Sequence, residues 1–139
     1  MITYLGSAEA VKPSQLKGFF VGWKCLPSEE THLKLLKQSE HVVLAVEEDC
    51  IVGFITAISD GVLSAYIPFF EVLPEYQEKG IGTELMKRML KQLKDIYMVD
   101  LICDEDKRMY YEKFGMSVAR GMILRNYDRQ QGSSVDIGN

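Results

Sequence analysis

Residues 70–83 read Phe70-Glu71-Val72-Leu73-Pro74-Glu75-Tyr76-Gln77-Glu78-Lys79-Gly80-Ile81-Gly82-Thr83, and this stretch decides how the chain is built. Before it, residues 62–73 (VLSAYIPFFEVL) form a long β-prone run interrupted by Pro68. A proline removes a ladder donor, so a bulge or a splayed strand is expected there. After it, Leu85, Met86, Met89, Leu90 and Leu93 recur at helical spacing. Lys87, Arg88, Lys91 and Lys94 occupy the rest of that helix, and Glu84 precedes Arg88 by one turn. A strand therefore enters a glycine-containing loop whose successive N–H groups open an amphipathic helix. Converging N–H donors and the helix dipole favour phosphate oxygens, and Gly80 and Gly82 let a ligand approach the main chain. The loop lacks G-x-x-x-x-G-K-[ST], which excludes a Walker-type phosphate loop. It also lacks the third glycine of the dinucleotide fingerprint and follows a hairpin strand instead of opening a βαβ unit.

Upstream, residues 2–5 suit a short edge strand, and a weak helical segment is expected from Pro13 to about Phe20. Ser28 is a candidate N-cap, with Glu29 and Glu30 in the first turn of a helix running to about Ser39. Residues 41–47 (HVVLAVE) and 50–59 (CIVGFITAIS) are β-branched runs separated by Glu48-Asp49. Asp60-Gly61 marks the next hairpin turn. Downstream, residues 97–103 read as a strand and 105–114 as a helix ended by Gly115, followed by two short strands around residues 117–119 and 122–126.

The chain has 139 residues, a net charge of −4, 47% hydrophobic and 26% charged residues. These values suit one globular domain. An acidic chain without a Lys/Arg block argues against bulk-charge binding of nucleic acid or membrane. Three widely spaced cysteines (Cys25, Cys50, Cys103), two histidines and no CxxC pair offer neither a disulfide framework nor a metal set. Without an N-terminal basic-then-apolar leader or a long apolar run, the expected location is cytoplasmic. The two histidines are expected at the surface or a strand edge, and Cys103 in the core.

Val72-x-Pro74-x-x-Gln77-x-x-Gly80-Ile81-Gly82 resembles the acetyl-CoA motif of the GNAT superfamily of N-acetyltransferases. Tyr111-Glu112-Lys113-Phe114-Gly115-Met116 is similar to that family's second, C-terminal motif. The resemblance covers roughly residues 2–126, which would form a single domain followed by a polar tail over residues 127–139. It implies an α/β (α+β) fold: a mixed, mostly antiparallel sheet of about six or seven strands, flanked by about four helices and splayed at the cofactor strand.

The resemblance also implies acetyl-CoA (or CoA) as cofactor. Gln77, Glu78, Lys79, Gly80, Ile81, Gly82 and Thr83 would hold its pyrophosphate through main-chain N–H groups. Phe70, Val72 and Leu73 would pair with the pantetheine amides, and Asp104 would stand where the family often has an Asn contact. Tyr111 would be the general acid for the leaving thiolate, with Tyr110 beside it as a competitor. Glu71 is the one carboxylate on the strand and so the candidate base. Strict alternation opposes it to Phe70 and Val72, a relation that a bulge could reverse. Phe19, Phe20, Trp23 and Tyr66 would line the site of a small-molecule or peptide amine. The alternative is a non-catalytic acyl-CoA sensor, because Tyr66 and Pro68 stand where family members carry a base. A homodimer is compatible with the chain, although no interface pattern is legible.

Overall fold

The computed structural model describes residues 1–132. Its frame is a six-stranded sheet comprising β1 (Thr3–Leu5), β2 (His41–Glu47), β3 (Cys50–Ser59), β4 (Ser64–Tyr66), β5 (Phe70–Val72) and β6 (Met98–Asp100). Three α-helices accompany it: α1 (Glu29–Gln38), α2 (Ile81–Gln92) and α3 (Arg108–Glu112). The strand order is β1-β2-β3-β4-β6, and β5 also pairs with β3. All pairings are antiparallel except β4 with β6.

The β-branched runs become β2 and β3 with the expected limits, joined at Glu48 and Asp49, both left-handed (φ 49° and 66°). This is the tight turn that right-twisted strands need. The Asp60-Gly61 turn is longer than a two-residue hairpin. Asp60 Oδ1 accepts the N–H groups of Val62, Leu63 and Ser64 at 2.8, 2.9 and 3.1 Å. Ser28 caps α1 by accepting the Thr31 N–H at 3.0 Å.

Two apolar layers sandwich the sheet. On one side α2 buries Leu85, Met86, Met89 and Leu93 against Val43, Ala45, Val52, Ile55 and Ala57. Each such side chain contributes roughly 1.5–3 kcal/mol of transfer free energy. Gly53 permits this approach: a Cβ there would lie 3.0 Å from Leu85 Cδ1 and 3.3 Å from Val72 Cγ2. On the other side Leu36 joins Leu16, Phe19, Phe20, Leu44, Ile51 and Phe54.

Three expectations fail. The helix expected from Pro13 is a single 3-10 turn, Pro13–Gln15. Gly18, Phe20 and Gly22 all have positive φ (93°, 64° and 85°), which no right-handed helix accommodates. The strands expected near residues 117–119 and 122–126 do not form; among the described residues that segment has no regular structure and pairs with no strand. With the first helix lost, three α-helices stand where about four were expected. Of the tail, residues 133–139 lie outside the described residues.

Candidate functional site

The interruption at Pro68 organises the site. β4 ends with Tyr66 opposite Ile58, and β5 begins with Phe70 opposite Ile55. The stretch from Tyr66 to Phe70 thus carries one residue more than the segment of β3 it faces, which is a β-bulge. The bulge shifts the alternation by one. Ala65 and Ile67 face the α2 layer before it, whereas Phe70 and Val72 face that layer after it. Phe69 is thereby turned to the opposite layer. Glu71 is turned the same way and meets the loop over residues 18–23.

The sheet also opens here. β6 runs parallel to β4 from Ser64/Met98 to Tyr66/Asp100, and the last bond, Ile67 N–H to Asp100 C=O, is 2.9 Å. Beyond it β5 stays with β3 while residues 101–104 leave the ladder. Among the described residues the β5 edge toward β6 is therefore unpaired by any strand.

At the end of β5 the chain makes a 3-10 turn, Pro74–Tyr76, and enters α2 through Gly80. Gly80 is the N-cap, left-handed at φ 85°, with no side-chain cap. The first ladder bond of the helix joins Glu84 N–H to Gly80 C=O at 3.1 Å. The N–H groups of Ile81, Gly82 and Thr83 consequently have no helical acceptor. Gln77 is committed elsewhere: its N–H donates to Pro74 C=O (3.3 Å) and its side-chain amide to Val72 C=O (2.9 Å). The loop's free donors therefore begin after Gln77. Glu78 is left-handed (φ 62°), and Lys79 Nζ lies 5.5 Å from the Tyr76 ring centroid.

The other motif flanks the same helix start. Tyr110 Oη lies 3.4 Å from Thr83 Oγ1, and its ring stacks on Phe70 with centroids 6.4 Å apart. A Cβ at Gly82 would sit 3.4 Å from both Phe70 Cζ and Tyr110 Oη. Gly82 is thus small for packing as well as for ligand approach. Tyr111 is half-buried against the α2 layer and meets Phe70 edge-on at 6.4 Å. Burial, then the neighbouring Cys103, Tyr110 and Asp104, push its phenol up to about 12. Asp104 and Cys103 are exposed, so Cys103 is not a core residue.

The aromatic loop forms a separate wall. Phe19, Phe20, Trp23, Ser28, Glu29 and His32 help line a cleft of about 290 Å³. Phe20 packs on Trp23 (4.9 Å) and on Phe69 (6.1 Å). Glu71 holds this loop: its two carboxylate oxygens accept the N–H groups of Phe20 at 2.9 Å and Val21 at 3.2 Å. Tyr66, in contrast, stays on β4 and does not line the cleft.

His32 was expected at the surface and is 1% exposed, caged by Phe19, Phe20 and Phe54 at 4.5–5.3 Å. Its Nε2 has no hydrogen-bond partner among the described residues, and burial lowers its pKa to about 4. The signal for this burial was its i,i+4 spacing to Leu36. Phe69 packs behind the wall, 6.1 Å from Phe20 and 6.3 Å from Trp23, and the sequence did not single it out because its orientation depends on the bulge.

A sheet split beside the uncapped start of a helix defines an α/β framework with three free helix N–H groups next to an open strand edge. The acetyltransferase (GNAT) family profile matches residues 8–116, and the chain belongs to that family. A candidate acetyltransferase from Deinococcus radiodurans R1 superposes with a TM-score of 0.91 at 44% identity, covering 94% of this chain and 92% of that one. A GNAT family acetyltransferase from Streptococcus pneumoniae TIGR4 gives 0.75 at 32% identity over 91% and 98%. Arabidopsis thaliana Naa50, in complex with the bisubstrate analogue CoA-Ac-MVNAL, gives 0.50 at 26% identity over 57% and 58%. Among curated proteins, the N-acetyltransferase ycf52 of Porphyra purpurea, itself uncharacterized, is 30% identical over 100 residues. That match spans 68% of this chain but 58% of the algal protein. Among the described residues no group of three or more His, Cys, Asp or Glu gathers as for a metal, and no helix is long and apolar enough to cross a membrane.

Proposed function

We propose that this protein moves the acetyl group of acetyl-CoA to a primary amine, borne by a small molecule or a peptide, with both held at once. The observation that carries this is the sheet opening between β5 and β6 beside the uncapped N-terminus of α2. Acetyl-CoA supplies an activated thioester when bound, and the donor set fits its pyrophosphate: main-chain N–H groups at a positive helix end.

In this reading Ile81, Gly82 and Thr83, with Glu78, Lys79 and Gly80 before them, hold the phosphates. The free main-chain edge of Phe70, Val72 and Leu73 takes the pantetheine arm, and Asp104 borders it. Tyr111 Oη retains its proton across the neutral range, since burial raises the phenol, and donates it to the departing sulfur. Phe19, Phe20 and Trp23 receive the apolar body of the amine. Glu71 fixes that wall in place; proton removal from the ammonium form then falls to water. Holding two reactants in line is worth orders of magnitude in rate without a strong base. The cytoplasm is the proposed location, on three cysteines without disulfides, although one relative is by name chloroplastic.

A second reading, an acyl-CoA sensor without turnover, is favoured by one observation: both oxygens of Glu71 are already engaged. One experiment separates the two. CoA is titrated while the melting temperature is followed, and thiol release from acetyl-CoA is measured against a panel of amines, with Tyr111→Phe as control. Amine-dependent release supports the transferase. A CoA-induced rise in melting temperature with no release across the panel supports the sensor, and no response to CoA overturns both.

A further inference from the structure

The loop over residues 18–27 carries the aromatic wall, yet it makes few bonds of its own. Gly18, Phe20 and Gly22 are all left-handed. Within residues 17–27 one backbone–backbone hydrogen bond forms among the described residues, Trp23 N–H to Phe20 C=O at 3.1 Å. A chain held in sparsely populated conformations persists only where its surroundings impose them, so the order of this loop comes from outside it. Two side chains from distant parts of the sequence supply it. Glu71 accepts the N–H groups of Phe20 and Val21. Gln130 Oε1 accepts the Cys25 N–H at 3.0 Å, across 105 residues of sequence. Trp23 lies between the two clasps, and Trp23 and Leu26, on either side of Cys25, both line the cleft.

Gln130 does not trail in solvent. It is half-buried, whereas residues 117–129 and 131–132 around it are exposed. Residues 127–129 form a 3-10 turn, and the segment is closed by Arg129 N–H to Asn126 C=O and Gly132 N–H to Arg129 C=O, both 2.9 Å. This turn rests on the start of α1. Gly132 is left-handed (φ 83°), and a Cβ there would lie 2.8 Å from Thr31 Cγ2. Thr31 is itself fixed, since its N–H donates to the Ser28 cap. The end of the described chain is thus seated on the helix whose first residues, Glu29 and the Ser28 cap, continue the rim of the cleft.

We infer that Gln130 is a positioning residue for the aromatic wall: the turn over residues 126–132 holds it against α1, and its side chain fixes one end of the loop whose other end Glu71 fixes. The two clasps differ in kind. Glu71 is a carboxylate on a strand, whereas Gln130 is a neutral amide on a terminal turn, and its hold is not screened by salt. Loss of wall order reduces the fraction of chains competent to bind the amine, so it weakens binding and leaves the chemical step alone. That effect on turnover rests on the transferase reading; the ordering of the loop does not.

The test uses the full chain and reads the loop through Trp23, the single tryptophan, by acrylamide quenching of its fluorescence. Gln130→Ala removes one neutral hydrogen bond, so the ordered loop becomes roughly 2- to 10-fold less favoured. Quenching should rise, and the KM of an active amine should rise by up to that factor with kcat kept. The rise should be larger in a Glu71→Gln background, where the other clasp is already weakened. Gln130→Glu keeps an acceptor for the Cys25 N–H and should quench as wild type does. Gly132→Ala, which drives a Cβ into Thr31, should act as Gln130→Ala does. Circular dichroism should be unchanged in each Gln130 and Gly132 variant, because neither residue lies in a helix or strand. Unchanged quenching for Gln130→Ala in both backgrounds, equal quenching for Gln130→Glu and Gln130→Ala, or a fall in kcat with KM kept overturns the inference. If no amine is turned over, the transferase reading fails, and quenching still decides the clasp: a rise restored by Gln130→Glu upholds it, and no rise overturns it.

Discussion

Replacing Glu71 by Gln separates the two roles a carboxylate on β5 can have. Its oxygens accept the N–H groups of Phe20 and Val21, and Phe20 sits at φ 64° between two left-handed glycines. A charged acceptor contributes roughly 1.5–3 kcal/mol per hydrogen bond when desolvated, and less at a partly solvated site such as Val21. Glutamine keeps one acceptor and presents an NH2 group to the other N–H. The net loss is about 1–2 kcal/mol, while the left-handed residue continues to cost about 1–2 kcal/mol. The ordered loop should therefore become roughly 5- to 30-fold less favoured. Trp23, the single tryptophan, lies on this loop, with its N–H on Phe20 C=O at 3.1 Å. Collisional quenching of its fluorescence should rise, and the KM of any amine found active should rise by the same factor, with kcat and the pH profile kept. A fall in kcat of about 100-fold or more, with loss of the acidic limb, would instead identify Glu71 as the base and refute the positioning argument. Unchanged quenching would refute it too.

Three other outcomes are expected. Tyr111→Phe should lower kcat by about 100-fold or more in thiol release, whereas Tyr110→Phe should leave it within a few-fold. Because the folded phenol titrates near 12, above its ordinary 10, its contribution to folding is complete below pH 10 and is lost between 10 and about 12, as an alkaline melting series would report. Gly80→Ala should cost about 1–2 kcal/mol through its left-handed φ and weaken CoA binding, read by melting temperature with and without CoA. His32, whose pKa falls to about 4 from 6.5, stabilises the fold fully above pH 6.5. Roughly 2 kcal/mol should be gone by pH 5, so wild type should melt earlier at pH 5 than at pH 7 while His32→Leu loses that dependence.

What the sequence disclosed was whatever depends on local periodicity. β2, β3 and the buried face of α2 follow from alternation and helical spacing, and the uncapped loop before α2 from glycines placed between a strand and a helix. The interruption at Pro68 was legible as chemistry, but not its count: whether one residue or two are inserted depends on the partner strand. That count decides where Phe69 and Glu71 point, so the packing of Phe69 behind Phe20 and the loop-holding role of Glu71 were out of reach. His32 misled because residue type was weighed above its spacing to Leu36. The strands expected after Met116 follow from propensity, which cannot tell whether a free edge lies within reach to pair with.

The bulge at residues 67–69 gives one short strand two addressees. Past it, Phe70 and Val72 answer to α2 and the start of that helix at Gly82, while Phe69 and Glu71 answer to the loop over residues 18–23. Deleting the inserted residue would let Tyr66 to Phe70 match Ile58 to Ile55 one for one, keeping Glu71 on its present side and removing only the freedom to place Phe69. Substitutions confined to 69 and 71 would leave the other side's packing undisturbed. Alternation past the bulge thus keeps two packing surfaces separable on one strand, so that the side facing residues 18–23 can be rewritten without repacking the side facing α2.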